Sequence, residues 1–276
     1  TETGEHGGAA FIIIYVAFML LLGVAIMVSE FVVGRHSQRS VSESFYMMSG
    51  GKHVWKLMGL IPAVAGFLVL SYYAVVAGWT LYYTYATATG QLAGKTPEQF
   101  VNDFNAFSSD PIQPLVWMTI LLAINGLIVA LGINRGIERG AKIMMPMLFV
   151  FILILVGCSL SLPGAKDGLT FLFKPDFSKV DGHVVLNAMG QAFFSLSVGL
   201  CCLCTYACYF RKDVNLMKDA VSVGTIDTMV AILSGIIIFP AVFSVPGITP
   251  NEGFSLVFIT LPNVFQQVFA SMPTLA

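Results

Sequence analysis

Gly190–Phe210, GQAFFSLSVGLCCLCTYACYF, is long and apolar enough to cross a bilayer, yet its middle does not suit a plain membrane helix. Ser195, Ser197 and Gly199 sit together near the midpoint, with Phe194 and Leu200 beside them. Hydroxyls and a glycine at that depth point to a helix that breaks there and exposes backbone carbonyls and amides. Irregular backbone at membrane depth is tolerated only where it lines a cavity or is buried in protein. Broken helices whose half-helix ends face substrate and ions are how secondary transporters build their binding sites.

The rest of the chain agrees with a membrane setting. Of 276 residues, 57% are hydrophobic and 11% charged, and the mean hydropathy is +0.82. A soluble domain carries about 25% charged residues. This composition therefore describes an all-α, polytopic membrane bundle. A net charge of −1 gives no reason to expect a nucleic-acid partner. Cys158, Cys201, Cys202, Cys204 and Cys208 all lie inside apolar segments, which argues against a disulfide framework. The first apolar segment has no basic leader before it and is followed by arginines, unlike a signal peptide.

Six segments are long enough to span, near 9–34, 57–90, 115–134, 143–163, 184–210 and 221–247, within a single transmembrane domain over 1–276. The second is too long for a perpendicular helix and must tilt or project. Loop charges orient them. Ten basic residues follow the first, third and fifth spans (Arg35 to Lys56, Arg135 to Lys142, Arg211 to Lys218), against four in the alternate loops. That alternation places Thr1 and Ala276 on the extracytoplasmic side of the cell membrane. FYMMSGGKHVWK, residues 45–56, suits a short interfacial helix with Trp55 at headgroup level. The loop at 164–183 is rich in turn formers, and 248–276 suggests a re-entrant or surface helical hairpin.

Ionisable residues at membrane depth are functional candidates. Asp227 lies eight residues past Asp219, about 12 Å in, and Ser195 eleven residues below Val184, about 16 Å in. Both therefore fall near the middle of a hydrocarbon core about 30 Å thick. A hard cation such as sodium wants the oxygen ligands that Asp227, Ser195 and free carbonyls supply. The alternative for Asp227 is a protonated or hydrogen-bonded structural residue. Tyr73 is central in the second span; ordinary packing accounts for it equally well, although Val69 shares its face at i, i+4 and the two suit a pocket wall. Glu30 has three outlets: snorkelling, pairing with an arginine, or accepting hydrogen bonds from amides freed by the break. The last would make it structural support. Cys201, Cys204 and Cys208 share one face, which fits packing better than a soft-metal stripe because no histidine stands near them. Paired aspartates, a Ser-His arrangement and an H-E-x-x-H motif are all missing, so the sequence is not that of an enzyme.

These residues resemble the neurotransmitter:sodium symporter family, its prokaryotic branch of amino acid transporters in particular. GQAFFSLSVG is similar to the sixth, broken helix of that family, LSYYAVVAGW to its third, AKIMMPMLFV to its fifth and SGIIIFPAVF to the end of its seventh. GGAAFIIIY resembles the junction into the second helix, and EGFSLVFITLP the fourth extracellular loop. The resemblance implies a five-plus-five inverted-repeat fold of which this chain holds helices two to seven, a fragment truncated at both ends. It also implies sodium-coupled symport of a small amino acid by alternating access in a longer parent protein. A non-transporting binding or regulatory relic of the same fold is the alternative. By resemblance, Tyr73 bonds the substrate carboxylate, while Val69, Phe194, Ser197, Gly199 and Leu200 belong to the substrate pocket. Ser195 and Asp227 are sodium ligands by the same resemblance. Tyr15, Gln191 and Ser195 match positions that contribute to chloride binding in animal relatives. Asp227 brings a fixed negative charge and Ala231 replaces a hydroxyl, so chloride independence is expected. Gln191 and Glu30 are taken as supports. Where the family often has Gly-x-Gly, this chain has Gly199-Leu200-Cys201; cysteine has less backbone freedom than glycine, which restricts unwinding and favours a mid-sized apolar substrate. Monomer and homodimer are both left open.

Overall fold

The structure, a computed structural model, describes residues 2–92, 94–244 and 256–262. Its helices follow the apolar runs: α1 (Glu2–Glu5), α2 (Ala9–Phe18), α3 (Val24–Ser37), α4 (Val41–Met48), α5 (Leu57–Ala88), α6 (Pro97–Ser109) and α7 (Gln113–Ala130). After them come α8 (Arg139–Leu160), α9 (Ala165–Phe173), α10 (Gly182–Ser195), α11 (Cys202–Ala207) and α12 (Leu216–Ser244). A π-helical turn, Met19–Gly23, joins α2 to α3 without interrupting the helix. Five stretches are long and apolar enough to cross a membrane: Ala9–Ser37, His53–Ala88, Gln113–Ala130, Gly136–Leu160 and Leu216–Ser244. The remaining apolar stretch is divided between α10 and α11, with a non-helical break at 196–201.

Two loops carry more helix than their composition suggests. The turn-rich stretch at 164–183 contains α9, and α6 occupies the connection after α5. Thr96 and Gln99 start α6 with a reciprocal cap: Thr96 Oγ1 accepts from the Gln99 amide, and Gln99 Oε1 accepts from the Thr96 amide at 2.9 Å. The T-x-x-Q spacing that signals it stands in the sequence. Of the hairpin expected over 248–276, only 256–262 is within the described residues, where Leu256–Thr260 is a π-helical turn.

The chain divides into two compact units. One comprises 2–69 and 173–232. Its core sets Phe11, Tyr15, Met19, Met27 and Phe31 of the first long helix against Val184, Ala188 and Ala192 of α10 and Leu196 just after it. The alanine stripe lets the helices approach closely, which is what helix pairs in lipid need when the hydrophobic effect gives no drive. Gly23 takes this further, since a Cβ there would overlap Leu196 Cδ1.

The other unit comprises 70–172 and 233 onward. An aromatic cluster joins α5, α6 and the 256–262 segment. Trp79 meets Phe104 edge-on at 5.5 Å and Phe258 at 5.8 Å, and Tyr82 stacks on Phe107 at 4.0 Å. Within the same unit, Pro240 interrupts the hydrogen-bond ladder of α12. Proline has no N–H for the carbonyl four residues back, here Ile236. Buried Ser159 of α8 makes up the loss, donating to the carbonyls of Ile236 and Ile237 at 3.1 and 2.8 Å. Ser244 Oγ donates to the Pro240 carbonyl at 2.6 Å and accepts from the Gly164 amide at 3.0 Å, fixing the end of α12 to the connection between α8 and α9.

Candidate functional site

The break begins with a well-anchored first half. Asp181 caps α10 by accepting from the Val184 amide at 2.8 Å, and the helix then runs to Ser195. Beyond it Ser197, Gly199 and Cys201 are left-handed, at φ 53°, 85° and 54°. Glycine adopts this region freely, whereas an L side chain there costs about 1–2 kcal/mol. Strain of that kind persists only where surroundings over-determine it, and it collects at functional sites. Cys201, expected to restrict unwinding, takes the left-handed conformation and forms the N-cap of α11.

Glu30 is the group that makes the break tenable. Its carboxylate is buried, and Oε1 accepts from the Gly199 amide at 2.7 Å. Glu30 thereby stands at the start of α11, whose first turn begins at Cys202. A helix N-terminus carries unsatisfied N–H groups and a partial positive charge, both answered by an anion at that place. The second half-helix is also pressed onto α3. A Cβ at Gly34 would lie 2.9 Å from Ala207 Cβ and overlap the Cys204 carbonyl. Below this contact, Arg35 Nη1 donates to the Val214 carbonyl at 2.7 Å, and Cys208 Sγ to the Arg39 carbonyl at 2.8 Å.

On the other side of the break, three helices converge on one carboxylate oxygen. Asp227 of α12 accepts through Oδ2 from Ser195 Oγ at 2.5 Å and from the Tyr15 hydroxyl at 3.0 Å. Ser195 is the last residue of α10, and Tyr15 is a buried residue of α2. Gly224, one turn before Asp227, allows this approach, because a Cβ there would lie 2.8 Å from Met19 Sδ. Thr228 is buried in the next position. The sequence brought Ser195 and Asp227 to one depth. Resemblance groups Tyr15 with Ser195 as a chloride-type position, but its direct donation to Asp227 carries no local signal beyond a tyrosine in an apolar helix.

The remaining candidates separate. Phe194, Ser197, Gly199 and Leu200 lie at the break, with Phe194 exposed and Ser197 and Leu200 half-buried. Gln191 is one turn before Ser195 on α10. Val69 is the last α5 residue of the break-containing unit, whereas Tyr73 belongs to the other unit, where its ring meets Tyr72 edge-on at 6.1 Å.

The donor set suits a hard monovalent cation better than a soft metal. Asp227 and Ser195 present oxygen within hydrogen-bond distance of one another, and the backbone at 196–200 has left the helical ladder, which resumes at the Cys201 carbonyl. Hard cations take such oxygens. Among the described residues no cluster of three His, Cys, Asp or Glu side chains could hold a metal.

Known proteins resemble this chain in sequence and fold. The pattern of the Sodium:neurotransmitter symporter family matches residues 2–113 and 109–273. The sodium-dependent transporter YhdH of Bacillus subtilis is 41% identical over 265 residues, covering 96% of this chain and 58% of its own length. A sodium-dependent transporter of Haemophilus influenzae is 35% identical, covering 97% of this chain and 60% of its own. Among solved structures, that of MhsT in complex with L-phenylalanine superposes with a TM-score of 0.90 at 44% identity, over 99% of this chain and 63% of that one. The chain thus spans about three fifths of the length of the relatives it matches. A match to the family pattern along nearly all of its length, together with relatives above 30% identity, makes this chain a multi-pass membrane member of the sodium:neurotransmitter symporter family.

Proposed function

We propose that the protein to which this chain belongs is a sodium-coupled symporter of a small apolar amino acid, working by alternating access in the cell membrane. The observation that carries the reading is the junction of Asp227, Ser195 and Tyr15 beside the left-handed break at 196–201. Bound there, sodium would supply a positive charge for the substrate carboxylate, with Asp227 and Ser195 as side-chain ligands. The chain's own residues account for the rest. Gly199 and its left-handed neighbours expose backbone polar groups to the pocket, and Glu30 keeps the Gly199 amide satisfied while they do so. Resemblance to the family assigns Phe194, Ser197, Leu200 and Val69 to the substrate pocket and Tyr73 to the substrate carboxylate. The relatives' names and the phenylalanine bound to MhsT favour sodium and an amino acid.

Chloride is not required in this reading. Asp227 already engages the hydroxyls of Tyr15 and Ser195, which would otherwise be available to an anion. The test is binding and uptake of labelled apolar amino acids by the full-length protein in proteoliposomes. Sodium-dependent binding that Asp227→Ala reduces at least a hundredfold, with uptake unchanged when gluconate replaces chloride, is the expected outcome. Binding indifferent to sodium in the unaltered protein would leave the non-transporting relic as the better account. Uptake that collapses in gluconate would overturn the chloride reading alone.

A further inference from the structure

The segment between α3 and α5 is a built surface that the site does not use. α4 ends in a double-glycine turn: Gly50 and Gly51 have φ of 72° and 87°, and their amides donate to the carbonyls of Met47 and Tyr46 at 3.2 and 3.0 Å. The reversal packs the 3-10 turn His53–Lys56 against α4. Several ties hold the two together. Ser42 Oγ donates to the Lys56 carbonyl at 3.2 Å, and Lys56 Nζ donates to Glu43 Oε1 at 3.1 Å. The same ammonium stands 4.6 Å over the Tyr46 ring, and the His53 ring is 5.0 Å from it. Gly59 sits on the Ser42 backbone more closely than any side chain would allow.

What this shape leaves outside is apolar and basic. Val54 is 74% exposed, Met48 51% and Trp55 44%. Arg39, Lys52 and Lys56 accompany them, against Glu43 as the one acid between Gln38 and Leu57. The length of α5 fixes the level. Its 32 residues make a helix about 48 Å long, more than the 40–45 Å or so of a bilayer with its headgroups, so its first turn falls in the headgroup layer. Apolar tips at that level enter the acyl boundary, and the amphipathic basic side chains reach phosphate.

We propose that residues 39–57 form a binding surface for an anionic phospholipid, with Val54 and Trp55 at the acyl boundary and Arg39 and Lys52 on the headgroup. Glu43 opposes the lipid by pairing with Lys56 at 3.1 Å and with Arg39 at 3.9 Å. The inference rests on the membrane setting and not on transport.

The experiment uses the full-length protein in nanodiscs of phosphatidylcholine and phosphatidylglycerol, in which one lipid or the other carries a brominated, quenching acyl chain. Both leaflets have the same composition, so sidedness does not enter. Quenching of Trp55 is read as the difference between the protein and its Trp55→Phe variant. Brominated phosphatidylglycerol is expected to quench Trp55 more strongly than brominated phosphatidylcholine at equal mole fraction. Lys52→Gln, which leaves the internal ties untouched, should weaken that preference about fivefold, and added salt should weaken it too. Glu43→Gln should raise it. Equal quenching by the two lipids overturns the proposal. So does a Trp55 that neither lipid quenches, since the surface would then be covered by protein.

Discussion

The backbone is interrupted at two places, and the two repairs differ in kind. In α12, Pro240 deprives a carbonyl of its donor, and the neutral hydroxyl of Ser159 replaces it. At 196–201 the interruption exposes donors, and the carboxylate of Glu30 answers them. The first repair restores an ordinary helix. The second holds a segment in left-handed conformations that its side chains do not favour. A serine suffices where the aim is continuity. A buried carboxylate, far more costly to place in lipid, appears where the irregularity itself is maintained.

Removing each repair sharpens the comparison. Glu30→Ala should have the larger effect, because a hydrogen bond to a charged group contributes about 2 kcal/mol and its loss takes from the Gly199 amide the carboxylate that holds the break. A clear fall in apparent Tm in detergent, together with loss of sodium-dependent amino acid binding, is expected. A stable, binding-competent Glu30→Ala would show that the break holds without its carboxylate. Ser159→Ala should cost only about 0.6 kcal/mol, the typical worth of an interhelical hydrogen bond between membrane helices, and should leave binding intact. A larger loss would mean that the proline bend is as demanding as the break.

The smallest effect is one the two units should share. Asp181, before α10, is held below the usual carboxylate range by the Val184 amide. Asp110, before α7, is held low first by the Gln113 amide and then by that of Ile112. A carboxylate depressed in the folded state adds stability that is complete above its unfolded pKa, about 3.9, and is lost as pH falls through the lower folded value. Asp181 is exposed and Asp110 at most half-buried, so the slope is shallow. Thermal stability should be flat from neutral pH to about 5 and decline only in stronger acid. Asp181→Asn should reduce that acid decline, and a decline beginning near neutrality would require a different group.

Much of this was legible in the sequence because lipid makes strong demands on composition. The break shows itself as serine and glycine in an apolar run, and Asp227 as a carboxylate where charge is costly. The Pro240 repair is harder to see, since Ser159 lies 78 residues from Ile237 and a serine in an apolar helix has many uses. The π turn at 19–23 is invisible for another reason: MLLLG is as apolar as its flanks, and only packing against Leu196 distinguishes it. α6 and α9 were hidden in loops by their turn-forming neighbours, although the T-x-x-Q start of α6 was there to be found.

The π turn and the break bear on mechanics. α10 packs along α2, and α11 along α3, with Gly34 leaving no clearance between the latter pair. Each member of these pairs is joined to its continuation by a soft joint, Met19–Gly23 in one strut and 196–201 in the other. Gly23 touches Leu196, so the joints stand at the same height. Were one strut to bend at that level, its companion would have to bend with it, because the close contacts at Gly23 and Gly34 leave the paired helices no room to slide past each other.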